Sequence, residues 1–150
     1  MSLHYTETLR GSYFLVESPD DVRTCEISVN VCLPRPKGVV QEVEAEMSGS
    51  ASFDRLSDNA PIAGTLRMRW IRPRRVDYQF AFVAQDGRAL QFRGAKHPSL
   101  LRPLYTATTL WGTVHEGDRA IAMVSLHFDL RRDLVAFLQS LDRQRGDDTR

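Results

Sequence analysis

The sequence predicts an all-β protein, an antiparallel up-and-down barrel of about eight strands followed by one C-terminal α-helix. Three observations carry this. Apolar and polar residues alternate with period two from end to end, as half-buried strands require. Short clusters of Gly, Pro, Asp and Asn separate the runs, so that consecutive strands are joined by hairpins. Only the last segment changes to helical spacing.

The elements follow in order. "HYTETLRGSYFLV" supplies the first strand, with an interruption expected at Gly11. "VRTCEISVNVCL" puts Cys25, Ile27, Val29, Val31 and Leu33 on one face and Thr24, Glu26, Ser28 and Asn30 on the other. After the turn "PRPKG", the run "VVQEVEAEMSGSASF" sends Val39, Val43, Ala45, Met47, Gly49, Ala51 and Phe53 inward and Glu42, Glu44 and Glu46 outward. "DRLSDNAP" reads as a loop. "IAGTLRMRW" then places Ile62, Gly64, Leu66, Met68 and Trp70 inward, with Thr65, Arg67 and Arg69 outward. "IRPRR" turns into a strand whose Val76, Tyr78, Phe80 and Phe82 share a face.

The hairpin "FAFVAQDGRALQFRGAK" poses a register problem. A two-residue Asp86-Gly87 turn would set Phe82 against Gln91 and Phe80 against Arg93, apolar facing polar. Shifting one strand by one residue exchanges its two faces. A three-residue loop, Gln85-Asp86-Gly87, with Gly87 left-handed in a bulge, pairs Phe82 with Leu90, Phe80 with Phe92 and Tyr78 with Gly94. Tyr78 is then expected to cover the glycine.

"LYTATTLWGTVH" and "RAIAMVSLHFDL", joined at Glu116-Gly117, close the sheet. In "DLRRDLVAFLQSLDRQ", Asp129 offers an N-cap and Leu134, Leu138 and Leu141 recur at helical spacing, predicting a helix over about 130–143. At 150 residues the chain is expected to form a single domain spanning 1–150. The meander resembles the calycin and lipocalin barrels in its arrangement.

Charge and motifs exclude several classes. Formal net charge is +1, from 20 basic and 19 acidic residues, which gives no global field toward nucleic acid or an anionic membrane. No apolar run reaches the roughly 20 residues of a membrane helix, and "MSLHYTETLR" lacks the order of a secretory signal. A cytoplasmic location is therefore expected. Dinucleotide, Walker and nucleophile-elbow signatures are absent. His4, His97, His115 and His127 show no metal-ligand spacing, so no metal or other cofactor is expected. Cys25 and Cys32 lie an odd number of residues apart on one strand and point to opposite faces, which rules out a mutual disulfide. In "RMRWIRPRR", Arg67 and Arg69 share a side with Glu42, Glu44 and Glu46 of the preceding strand, so they read as cross-strand ion pairs, with Glu44 and Glu46 expected beside Arg67 and Arg69. Arg72, Arg74 and Arg75 are left without obvious partners.

One resemblance spans nearly the whole chain. Asp86-Gly87, Gly94-Ala95-Lys96, Thr108-Thr109-Leu110 and Glu116-Gly117 look like a small β-rich domain found with cholesterol-oxidase-like (GMC-type) flavoproteins and α/β-hydrolase segments. Tyr5-Thr6-Glu7 with Gly11, and Met47 with Gly49, are similar to that domain's first strand and its middle. This chain departs from the family at Thr106, where an acidic residue often precedes the threonine run. The resemblance implies an accessory domain without flavin-binding or hydrolase signatures of its own, and a flavoprotein or hydrolase as partner.

The functional expectation is a non-catalytic barrel that binds a small apolar, lipid- or sterol-like ligand, or assists an enzyme that handles one. Large inward residues share the inner face with small ones, an eight-strand barrel is just wide enough to fill with side chains or hold one small ligand, and small inward residues such as Gly49 and Gly64 tilt the expectation toward a cavity. Trp70, Tyr78, Phe80 and Phe92 are expected to line the site, with Lys96 and Tyr105 orienting the ligand at the mouth. A lysine leaving a strand just before "HPS" is, however, more often a solvated rim residue than a ligand contact. A protein-docking module is the alternative. A small enzyme is the third reading; its candidates are Lys96, His97, Tyr105 and His115.

Overall fold

The structure is a computed structural model describing residues 2–34, 42–69, 75–97 and 109–128. It contains β1 (Ser2–Leu15), β2 (Arg23–Pro34), β3 (Glu42–Phe53), β4 (Ser57–Arg69), β5 (Arg75–Val83), β6 (Ala89–Lys96), β7 (Thr109–Glu116) and β8 (Arg119–Phe128). Each strand is antiparallel to the next, and β8 returns to β1, where Leu9 pairs with Phe128 and Leu15 with Ala122. The result is a closed eight-strand barrel, which leaves no free sheet edge. The helix expected at 130–143 lies outside the described residues. No helix among the described residues is long and apolar enough to cross a membrane.

Alternation positions the wall. On β3, Val43, Ala45, Met47, Ala51 and Phe53 are buried while Glu42, Glu44 and Glu46 are exposed. Glu42 lies opposite Arg69, Glu44 opposite Arg67, and Glu46 opposite Thr65. Arg67 sits between Glu42 and Glu44, at 3.6 and 3.7 Å. Of the expected outer pairs, Arg67–Glu44 thus forms, with Glu42 on the same guanidinium, while Glu46 faces Thr65. Such exposed pairs stabilise little, about 0–1 kcal/mol each.

The β5–β6 hairpin has the anticipated register. Tyr78 pairs with Gly94, Phe80 with Phe92 and Phe82 with Leu90. Gly87 adopts φ 88° and donates its N–H to the Ala84 carbonyl, while the Ala84 N–H donates to the Arg88 carbonyl. The Asp86 carboxylate accepts from both the backbone N–H and the guanidinium of Arg88, which fixes the loop.

Three details differ from expectation. β1 runs through Gly11 without a break, pairing Leu9 with Ile27 and Gly11 with Cys25. The segment 54–61 contains only a turn before β4 begins at Ser57. Here Ala51 pairs with Ala60 and Phe53 with Ser57, so β4 bulges by one residue and Asn59 takes φ 46°. Ser57 Oγ donates to the Ala51 carbonyl and accepts from the Phe53 N–H, and Ser52 Oγ accepts from the Asn59 N–H. Those polar side chains, which read as loop, are consumed by the bulge itself. Finally, Phe92 rather than Tyr78 lies closest over the β6 glycine.

Small inward residues serve close approach of backbone to backbone. A Cβ at Gly11 would lie 1.9 Å from the Ser125 carbonyl oxygen, one at Gly49 2.0 Å from that of Ser28, and one at Gly64 1.9 Å from that of Gln79. Neighbouring wall, and not empty space, takes up those missing side chains, as expected where barrel strands bend sharply.

The links 16–22, 54–56, 84–88 and 117–118 gather at one end. An aromatic column starts there: Tyr13 meets Phe53 edge-on at 5.2 Å, Phe53 stacks on Phe82 at 5.4 Å, and Phe80 stacks on Phe92 at 4.8 Å. The Tyr13 hydroxyl donates to the Asp54 carbonyl at this end. At the opposite end the links 35–41, 70–74 and 98–108 lie outside the described residues.

Candidate functional site

Among the described residues, a buried ionic pair interrupts an otherwise uncharged interior. Glu7 and Lys96 are the charged members of the buried set among the described residues. Glu7 has the parity of Leu9 and Tyr13 on β1, and Lys96 that of Leu90 and Phe92 on β6, so alternation drives both inward. Lys96 Nζ donates to Glu7 Oε1, and the Tyr78 hydroxyl donates to Glu7 Oε2 at 3.0 Å. Lys96 Nζ also stands 5.1 Å from the centre of the Tyr78 ring, in cation–π range. The side chains of Glu7 and Lys96 are 7% and 8% exposed, so the pair is almost wholly withdrawn from water.

The barrel framework brings these groups together. Tyr78 faces Gly94 across the β5–β6 ladder, and Lys96 faces Val76 one inward step further on. Each of the three lies toward the end away from the tight turns. The next inward layer holds Phe80 and Phe92, stacked with their planes 17° apart.

Of the sequence-predicted site residues, Tyr78 and Lys96 meet directly. Phe80 and Phe92 pack on each other one layer deeper, and Trp70 and Tyr105 lie outside the described residues. Lys96 is a buried ion-pair partner, which replaces its reading as a solvated rim lysine. His97 is exposed. His115 lies on the outer face against Thr113 Oγ1 at 2.7 Å, so neither histidine joins Lys96. Sequence reasoning missed Glu7. The available signal was its parity: an acidic residue on the same face as Leu9 and Tyr13.

The outer surface carries two clefts formed by described residues. One, of about 600 Å³, runs across β5 to β8 and β1, with Phe14, Ala95, Trp111 and Met123 beside Asp77 and Arg93. Trp111 is 62% exposed and Met123 43%. The other, of about 540 Å³, is polar and lies near the tight-turn end, where Arg10 pairs with Glu26 at 3.0 Å. Arg75, which the sequence left unpartnered, bonds Asp77 at 2.6 Å; Arg72 and Arg74 lie outside the described residues. Among the described residues, no group of His, Cys, Asp and Glu could hold a metal ion.

Both cysteines are free thiols. Burial pushes the Cys25 thiol up to about 12, so it stays protonated and inert inside the barrel. Cys32, on the other face of β2, is half-buried with its sulfur 3.9 Å from His4 Nε2.

Compared with known proteins, the chain matches no family model, no curated protein and no solved structure.

Proposed function

We propose that this chain is a non-catalytic barrel that binds a small, largely apolar, lipid- or sterol-like molecule, or assists an enzyme that handles one. The site is the barrel end where Glu7, Tyr78 and Lys96 meet. The observation that carries this is the buried Glu7–Lys96 pair. Apolar residues of similar volume would hold the interior together as well or better, because withdrawing two charges from water offsets most of their attraction. A desolvated, hydrogen-bonded charge pair in an apolar interior is thus a pointer to a site. Phe80 and Phe92 form the apolar floor, and Trp70 and Tyr105 are assigned to the same site as part of this proposal. Both Glu7 oxygens are engaged, by Lys96 and Tyr78, which favours holding a molecule over taking its proton. A lipocalin-like relationship and a cytoplasmic location belong to the proposal too, the latter supported by two free thiols.

The test is native mass spectrometry of protein purified without added lipid, followed by titration with an apolar fluorescent probe. A retained apolar mass, or saturable probe binding lost in Tyr78→Ala, is the expected result. Absence of both overturns the reading.

The outer cleft supports a second reading, a module that docks a flavin oxidoreductase or hydrolase through Trp111 and Met123. A large aromatic side chain beside a methionine, both open to solvent, is the composition of interface anchors. Loss of complex formation with such an enzyme in Trp111→Lys, with the barrel intact, would favour it.

A further inference from the structure

We infer that a protein partner docked on the outer cleft presents a carboxylate beside an apolar side chain, the carboxylate to Arg93 and the apolar group to Trp111 and Met123; this rests on the docking reading above. Two rows of outward side chains build the cleft. In the first, Trp111 stands between Ala95 and Ser125, with Ser12 beyond, so the indole rises over short neighbours. In the second, Arg93, Thr113, Met123 and Phe14 follow one another across β6, β7, β8 and β1. That row is polar at one end and apolar at the other, with two strand spacings, about 10 Å, between Arg93 and Met123. Charge is equally one-sided. Among the described lining residues the charged groups are Arg75, Asp77 and Arg93. Asp77 is taken by Arg75 at 2.6 Å, whereas Arg93 donates to the neutral amide oxygen of Gln91 at 3.0 Å. The cleft therefore complements an acid and repels a base. An exposed guanidinium near an aromatic ring and a methionine is also the composition of protein interfaces. A closed barrel has no sheet edge to pair with, so a partner binds here through side chains.

The experiment titrates the full chain at low salt with three short synthetic peptides, following amide chemical shifts. The peptides share a pair of leucines and differ in one neighbouring residue, glutamate, glutamine or lysine. The glutamate peptide is expected to bind about threefold or more tightly than the glutamine peptide, and the lysine peptide more weakly still. The largest shifts should surround Arg93, Trp111 and Met123. Arg93→Gln should erase the difference between glutamate and glutamine while apolar binding persists. A glutamine or lysine peptide that binds wild type as tightly as the glutamate peptide overturns the charge inference and leaves docking standing. No shift at the cleft with any peptide removes the docking reading and this inference with it. Quenching of Trp111 fluorescence by acrylamide, taken as the difference between wild type and Trp111→Phe, tests the other occupants. Full access at every protein concentration is expected. Protection at all concentrations would give the cleft to residues 129–150 of this chain, and protection that grows with concentration would give it to a second copy; either overturns the proposal.

Discussion

Phe92 lays its ring in the space that a side chain at Gly112 would need: a Cβ there would come within 2.6 Å of Phe92 Cζ. Gly94, paired with Gly112 across β6 and β7, is covered by the same ring, with its own Cβ position 2.8 Å from Cζ. Gly112→Ala is therefore expected to destabilise the barrel by about 1–3 kcal/mol through overpacking. Adding Phe92→Leu should recover part of that loss. The Arg93 carbonyl oxygen, 2.8 Å from the same Cβ position, accounts for the remainder. Urea denaturation of the two single variants and the double variant measures the coupling; strictly additive effects would mean that the ring is not the obstacle.

Gly11→Ala should be worse than Gly112→Ala. Its Cβ would lie 1.9 Å from the Ser125 carbonyl oxygen, and backbone cannot swing aside as a ring can. The β1–β8 seam closes at this point, so soluble yield and amide exchange on β1 and β8 report the damage. Near wild-type stability for this variant would contradict the close packing of that seam.

Removing one partner of the buried pair takes from the other a charge-assisted hydrogen bond made inside the barrel. Glu7→Leu or Lys96→Met alone should destabilise by about 3–5 kcal/mol, whereas the double variant should recover most of the loss. Thermal denaturation of all three makes the comparison. A double variant as unstable as the sum of the singles would show that the two groups do not rely on each other.

The Cys25 thiol gives an alkaline dependence of known sign. Burial raises it from its ordinary 9.0 to about 12, so the folded protein holds this proton more tightly than the unfolded chain. Its contribution is complete below about pH 9 and is lost as pH rises toward 12, by at most about 1.4 kcal/mol per pH unit. Cys25→Ala should flatten this part of the decline. Tyr13, also raised by burial, keeps its share in that variant. Equal pH slopes for wild type and Cys25→Ala would refute the assignment. At neutral pH a thiol reagent should modify Cys32 well before Cys25.

Trp111 projects into the outer cleft and contributes little to folding. Trp111→Ser should change stability by no more than about 0.5 kcal/mol, as for an ordinary surface position. Denaturant titration followed by circular dichroism tests this. A loss several times larger would mean that the indole is packed, and would remove the docking reading with it.

Much of the wall was legible because alternation is local. Cys25, Ile27, Val29 and Val31 announce their face without any partner strand, and the bulged Gln85-Asp86-Gly87 turn follows once Phe80 must face Phe92. The start of β4 was not legible, since Ser57, Asp58, Asn59 and Pro61 have the composition of a loop. Their strand exists because Ser52 and Ser57 satisfy the bulge from positions set by β3. In the candidate site, the aromatic face containing Tyr78, Phe80 and Phe92 could be read in advance, but the role of Glu7 could not.

The sequence by itself determined which side chains point inward, because side-chain direction in a strand depends only on parity. That includes Glu7 and Lys96. Tertiary structure decided that these two meet, 89 positions apart in the chain, and that Tyr78 joins them. It also decided that Gly11, Gly49 and Gly64 press against neighbouring backbone instead of opening a void. Both outcomes depend on how far each strand bends and on which strands lie near one another across the closed barrel. Those are distances through space, and no spacing along the chain encodes them.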